Sequence, residues 1–149
     1  MPLTPEQREE FLAGTRPACL AVDAREGRGP LNVPIWYAYR PGGGPFTFVT
    51  GSDSRKARLL AAAGRATLLV QRVEPTFRYV SAEGPVRLRT ATAEDIAAIV
   101  GRYLAPDVVA TYTDNALRGF GPEGVALVEL LPEHWLSADI GASRTHPPA

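Results

Sequence analysis

Eight consecutive residues carry the densest chemistry in this sequence: Val49-Thr50-Gly51-Ser52-Asp53-Ser54-Arg55-Lys56. They read as a strand end, a turn of small residues and the opening of a helix, bringing three hydroxyls and two cations together. First-turn N–H groups of a helix, joined by Arg and Lys side chains, form an anion site suited to phosphate. Cations stand there against the helix dipole, which favours acids in the first turn, and an anion between them removes the conflict. The same residues also compose an ordinary capped helix with solvated basic side chains. Lys56 has a second claim to notice, because the 16 basic residues are fifteen arginines and this one lysine. Lys and Arg are not interchangeable at a tight phosphate site.

Other chemistries find little support. His134 and His146 are far apart, and neither stands at ligand spacing with Cys, His or carboxylates, so no metal site is expected. There is no G-x-S-x-G elbow, no Walker loop and no dinucleotide-binding G-x-G-x-x-G. Gly119-Phe120-Gly121-Pro122 reads as a loop. Cys19, the single cysteine, falls inside an apolar strand pattern without a neighbouring base, which describes a buried, inert thiol.

The elements that must position the anion segment follow from caps and periodicity. Thr4-Pro5-Glu6-Gln7 supplies an N-cap, a first-turn proline and a capping-box glutamine, opening a helix that runs to Ala13 and stops at Gly14. Ala18 to Ala24 reads as a strand, and a Gly-rich turn leads to a long strand from Leu31 to Tyr39. There Leu31, Val33, Ile35, Tyr37 and Tyr39 share one face by period two, and Asn32, Pro34, Trp36 and Ala38 the other. Pro34 cannot donate to a ladder, so this strand is an edge or bulges there. Phe46 to Thr50 is a strand, and Ser54 caps a helix from Arg55 to Ala63 that Gly64 closes. Thr67 to Val73 and Phe77 to Arg89 are strands, the second bent at Gly84-Pro85. Thr92 caps a helix ending near Leu104, and a looser helical pattern runs from Asp107 to Leu117. Val125 to Leu131, apolar on both faces, is a central strand, and Trp135 to Ile140 adds one more.

Strands outnumber crossovers, which excludes a doubly wound parallel sheet. The expected fold class is mainly β: a six- to seven-stranded antiparallel split β-barrel with a few peripheral α-helices. With 149 residues, 45% of them hydrophobic and 21% charged, the chain is long enough for one core. Residues 1–142 are read as a single domain and 143–149 as a disordered tail. Sixteen acids balance sixteen bases, so no nucleic-acid partner is expected. No apolar run is long enough to span a bilayer and the first residues are too polar for a secretory signal, so no membrane partner is expected and the setting is cytoplasmic.

The stretch Phe46 to Val86 resembles the flavin-binding core of pyridoxamine 5'-phosphate oxidase and its relatives, the FMN-binding split β-barrel flavoproteins. The family's phosphate motif, a strand ending in Thr followed by a turn and Ser-Arg-Lys, is matched by Thr50 and Ser54-Arg55-Lys56. Its Arg-x-Val-x-x-Glu-Gly-x-Val strand is matched by Arg78 to Val86. Val33-Pro34-Ile35-Trp36-Tyr37 and Pro132 to Asp139 are similar to the small actinobacterial branch that uses the deazaflavin coenzyme F-420.

The resemblance implies an oxidoreductase binding F-420, with FMN as the alternative, and transferring hydride to or from a small unsaturated organic substrate. It implies a homodimer with the cofactor site at the interface. Thr50, Ser54, Arg55 and Lys56 would hold phosphate, and the backbone of Val33, Pro34, Ile35 and Trp36 would line the ring. Gln71, Arg72 and Tyr79 are further cofactor-binding candidates from strands facing the site. Trp36 reads equally as barrel or interface packing, and Arg72 also as a solvated strand residue. No catalytic side chain is assigned; Tyr37 and Tyr79 are the candidate proton donors. The basic second strand and the C-terminal Trp and Arg segment of the vitamin oxidase are missing, so its substrate is not expected here. A non-catalytic flavin or haem carrier and a barrel with a vestigial phosphate site remain the other readings.

Overall fold

The computed structural model describes residues 2–121 and 124–141. The expected domain end at 142 and tail at 143–149 lie outside the described residues, as do His146 and Pro122 of the expected Gly119–Pro122 loop. In chain order the elements are α1 (Pro5–Ala13), β1 (Ala18–Val22), β2 (Leu31–Ile35), β3 (Ala38–Tyr39), β4 (Phe46–Gly51) and α2 (Arg55–Ala63). They continue with β5 (Arg65–Arg72), β6 (Arg78–Thr90), α3 (Ala93–Val100), α4 (Pro106–Phe120), β7 (Val125–Leu130) and β8 (His134–Asp139).

All pairings are antiparallel, in the order β2-β1-β5-β6-β7-β4-β3, with β8 on β6. The two ends of this path, β2 and β3, are consecutive in sequence, so the chain itself joins the edges of a curled, split barrel. The fold is mainly β with helices outside, as expected. Seven strands form the continuous path, as expected, and β8 lies off it on β6; the described residues hold eight in all because the expected Leu31–Tyr39 strand is two strands interrupted at Trp36-Tyr37. Pro34 lies on an edge strand, where a residue without an N–H is tolerated.

Long β6 is where the barrel splits. Arg78 to Pro85 pairs with β5, and Arg78 to Glu83 also with β8, whereas Val86 to Thr90 pairs with β7. Gly84 marks the change. The connector from β7 to β8 crosses directly over it: the Leu131 amide donates to the Pro85 carbonyl at 3.0 Å and the Glu133 amide to the Glu83 carbonyl at 2.8 Å. The Glu-Gly-x-Val signature is thus explained by the crossing, with Glu83 further tied to Arg65 at 3.1 Å.

Apolar side chains fill the barrel, led by Tyr37, Phe46, Phe48, Leu12, Leu20, Leu60, Leu68 and Leu130. A second core of Ala91, Ile96, Ile99, Val100, Val125 and Leu127 lies under α3 and α4. The helical pattern of α4 proves stronger than expected: it continues through Gly119 and Phe120, so that part of the expected loop is helix. Helix α3 is shorter than expected, ending at Val100. Cys19 is only partly buried, because it points to the outer face of β1 and away from the core. Among the described residues, no helix is long and apolar enough to cross a membrane.

The α3 cap makes a pH prediction. Two hydrogen bonds from the Arg89 guanidinium, at 2.7 and 3.1 Å, hold the Asp95 carboxyl down from 3.8 to about 2, helped by the Thr92 amide and hydroxyl. A depressed acid stabilises the fold above its unfolded pKa and loses that contribution as pH falls through the folded one. Because Arg89 is half exposed, solvent screens the pair and the contribution is small. Urea midpoints of the parent should fall between pH 4 and pH 2 more steeply than those of Asp95→Asn. Parallel midpoints for the two proteins over that window would remove this role.

Candidate functional site

The anion segment forms as its sequence dictates. Ser54 is the N-cap of α2 and its hydroxyl accepts the Ala57 N–H at 3.1 Å. This leaves the amides of Arg55 and Lys56, which have no intrahelical acceptor, at the helix mouth. Thr50 is buried at the end of β4, its Oγ1 2.9 Å from Ser54 Oγ. Two hydroxyls sharing one bond retain one hydrogen to donate elsewhere. The first turn of α2 holds no acid. Arg58 also folds back, donating to the carbonyl of Asp53, so a third cation stands near the mouth; its spacing four residues after Ser54 was the available signal. Among the described residues Lys56 has no hydrogen-bond or ion-pair partner. The donor set of two amides, a hydroxyl and cations fits a phosphate.

Lys56 reaches into a cleft of about 320 Å³. Pro34, Ile35 and Trp36 form one wall, Val49 contributes from β4, and Ile99, Val100 and Tyr112 close the far side from α3 and α4. The structure therefore joins Lys56 of the phosphate motif to Pro34–Trp36, two segments read separately in the sequence, whereas Val33 packs against the barrel core and Thr50, Ser54 and Arg55 do not line the cleft. Apart from Lys56 the lining carries no charge. A flat, largely apolar group with an anion at one end matches these walls.

The remaining candidates lie elsewhere. Gln71 and Tyr79 are register partners on the outer face of the sheet, beside the row Pro34, Cys19, Leu69, Ser81 and Leu136. They share that face with Pro34 but do not line the cleft. Arg72 turns to the inner side. It donates to the Thr76 carbonyl at 3.1 Å and the Thr76 hydroxyl at 2.9 Å, and its guanidinium is 3.5 Å from Asp139. Arg78 binds the same buried carboxylate at 2.7 Å. This network fastens the β5–β6 turn to β8 and gives Arg72 a structural employment that its sequence position did not reveal. Tyr37 is likewise removed from the cleft: it is fully buried, and its hydroxyl donates to the Leu12 carbonyl at 3.0 Å. Burial pushes its phenol pKa up, and a phenol so enclosed is no proton donor to the cleft.

Sequence reasoning missed the α3–α4 junction. Arg102 donates to the Tyr37 carbonyl and, at 2.9 Å, to the Gly14 carbonyl at the end of α1. The Tyr103 ring stacks on Trp36 with centroids 4.9 Å apart and planes 7° from parallel. Tyr112 stands 6.0 Å from Trp36 at 41°. An aromatic at the end of one helix and another a few turns along the next give no local sign that both meet residue 36. Among the described residues, no three His, Cys, Asp or Glu side chains are grouped as a metal site would need.

Residues 4–137 match the family model of pyridoxamine 5'-phosphate oxidase. The fold is similar to that of a conserved hypothetical protein from Mycobacterium tuberculosis, with 20% identity, a TM-score of 0.74, and coverage of 99% of this chain and 92% of that one. It is similar to an F-420 reductase at 18% identity and TM-score 0.66, over 86% of this chain and 94% of that one. HutZ, the haem storage protein from Vibrio cholerae, matches at 18% identity and TM-score 0.65, over 91% of this chain and 94% of the other. Identities this low establish the fold alone. No curated protein sequence matches the chain.

Proposed function

The chain belongs to the pyridoxamine 5'-phosphate oxidase family, and we propose that it is an oxidoreductase that holds F-420 and moves hydride between that coenzyme and a small unsaturated organic molecule. One observation carries the reading: the capped N-terminus of α2 and the edge backbone of β2 meet in a single cleft through Lys56. The coenzyme supplies the hydride chemistry when bound. The protein's own residues bind its phosphate at Ser54, Arg55 and Lys56, orient its ring along Pro34–Trp36, and exclude water with the apolar side chains of Val49, Ile99 and Val100. FMN would place its terminal phosphate on the same donors. The fold is shared with an F-420 reductase and with a haem storage protein, so both catalytic and carrier uses of this barrel exist among its likenesses.

The reading includes a homodimer. A cleft of about 320 Å³ is at the small end of ligand pockets, near the lower bound of roughly 300 Å³, and a second subunit would enlarge it. The outer sheet face that continues from Pro34 exposes Leu136, Phe77 and Val73, side chains that a partner would cover. The single cysteine suits a reducing, cytoplasmic setting.

The test is the visible spectrum and mass of the copurifying ligand, followed by titrations of the unliganded protein with F-420, FMN and haem, with sedimentation at micromolar concentration. Tightest binding of F-420 by a dimer, with hydride transfer to an unsaturated acceptor, is the expected result. Preference for FMN moves the assignment to a conventional flavoprotein, and haem binding alone replaces the enzyme with a carrier.

A further inference from the structure

We propose that Tyr103 is a positioning residue for ring recognition: through Trp36 it sets the wall of the cleft against which a flat, conjugated ring lies. This rests on the flavin-type reading of the cleft and deepens it, by assigning ring affinity to a pair of aromatic side chains as well as to strand backbone.

The β2–β3 interruption is the starting point. At Trp36-Tyr37 the chain leaves one half of the barrel for the other and has no strand partner there. Backbone polar groups without a ladder must find other partners or the segment wanders. The α3–α4 junction supplies them. The Tyr37 N–H donates to the Tyr103 hydroxyl at 3.1 Å, and that hydroxyl in turn donates to the Arg16 carbonyl at 2.8 Å. Arg102 takes the Tyr37 carbonyl. Two adjacent side chains of one turn thus hold both polar groups of Tyr37. Burial pushes the Tyr103 phenol pKa up, so the hydroxyl keeps its proton for Arg16 at neutral pH.

With the peptide fixed, the ring of Tyr103 fixes the indole. The near-parallel stack of Trp36 on Tyr103, 4.9 Å and 7°, lies in the range where aromatic pairs attract. Trp36 is 37% exposed and belongs to neither buried core cluster, so the contact does not serve to fill the barrel. A large apolar ring held still at the surface, on the wall of a cleft and within reach of Tyr112 at 6.0 Å, is a surface prepared for another ring. Rigidity matters because a mobile indole would have to be ordered on binding, and that ordering reduces affinity.

The test is a double-mutant cycle on the full chain with Trp36→Leu, Tyr103→Leu and the two combined. Tyr103→Phe is added as a milder change that keeps the stack and removes the hydroxyl anchor. Binding is read by fluorescence quenching for FMN and F-420, and for the phosphate-free ring-plus-ribityl portion of each (riboflavin in the case of FMN). Melting temperatures are read without ligand. Trp36→Leu and Tyr103→Leu should each weaken the ligand bound by the parent about tenfold, with or without its phosphate, as expected for one aromatic contact. Tyr103→Phe should give a smaller loss, about threefold. In the Trp36→Leu background both Tyr103 changes should have no further effect on binding, because Tyr103 acts through the indole.

A purely structural Tyr103 would lower the melting temperature and leave affinity unchanged, and that result overturns the proposal. Losses that multiply in the double variant also overturn it, because Tyr103 would then be contributing independently of Trp36. If Tyr103→Leu does not fold, the Tyr103→Phe arm of the cycle decides. A parent that binds neither flavin nor deazaflavin refutes the proposed function itself, whereas failure confined to the cycle refutes this inference alone.

Discussion

Gly84→Ala should produce a large loss of stability from a single added methyl group. A Cβ at position 84 would lie 1.8 Å from the Leu131 carbonyl oxygen and 2.8 Å from its carbon. Both atoms are backbone, so no side chain can swing away to make room. The connector would have to lift, breaking the Leu131–Pro85 and Glu133–Glu83 hydrogen bonds, and β8 would lose its register on β6. Overpacking of this kind costs about 3 kcal/mol or more, a large part of the roughly 5–15 kcal/mol by which domains are stable. The expected reading in a thermal melt is a fall of about 10 °C or a chain that does not accumulate as folded protein. Gly29→Ala is the control, since no atom lies within 4 Å of a Cβ there, and it should melt with the parent. A Gly84→Ala melt within a degree or two of the parent would mean that the connector does not cross where the structure has it.

Lys56→Ala should give the largest loss of function that leaves the fold alone. Its side chain faces the cleft and has no partner among the described residues. Deleting it therefore removes no internal hydrogen bond, and it relieves the conflict of a cation with the α2 dipole. The unliganded melting temperature should stay the same or rise slightly. A charge-assisted bond to phosphate contributes on the order of 1–3 kcal/mol, so F-420 and FMN should bind roughly tenfold to a hundredfold more weakly, at about 1.4 kcal/mol per decade. Their phosphate-free portions should bind as they do to the parent. Equal affinity of parent and variant for the phosphorylated ligands would remove Lys56 from the anion site. A lowered melting temperature without ligand would instead make it a structural residue.

The local pieces of this protein were legible because each is fixed by neighbours in sequence. The α1 capping box forms as Thr4 and Gln7 require, with bonds of 2.9 and 3.1 Å. Helix α2 starts after Ser54 and ends before Gly64, whose left-handed φ of 70° closes it. The edge placement of β2 is one of the two outcomes, edge or bulge, that Pro34 allowed, and the buried centre of β7 follows from its two apolar faces. The anion motif was legible for the same reason, since cap, hydroxyls and cations fall within seven residues.

What could not be read were relations between distant segments. The long strand expected from Leu31 to Tyr39 alternates faithfully, and its inner residues Ile35 and Tyr37 are buried. It breaks all the same, because the barrel must turn there and Tyr103 and Arg102, more than sixty residues on, satisfy the turn. Arg72 reads as a strand arginine, solvated or facing a ligand, until Asp139 appears beside it from β8. Cys19 reads as buried until the register puts it on the outer face next to Pro34 and Leu69.

The sequence by itself determined the strand-rich antiparallel class, the helix ends and the phosphate-type motif, because periodicity, capping and turn chemistry act over fewer than about ten residues. Tertiary structure alone decided that Lys56 and the Pro34–Trp36 edge share one cleft, and that Trp36 is held by Tyr103. The physical reason is that such contacts depend on where a curled sheet brings its two edges. Packing and long-range hydrogen bonding of the whole barrel fix that position, and no stretch of residues encodes it on its own.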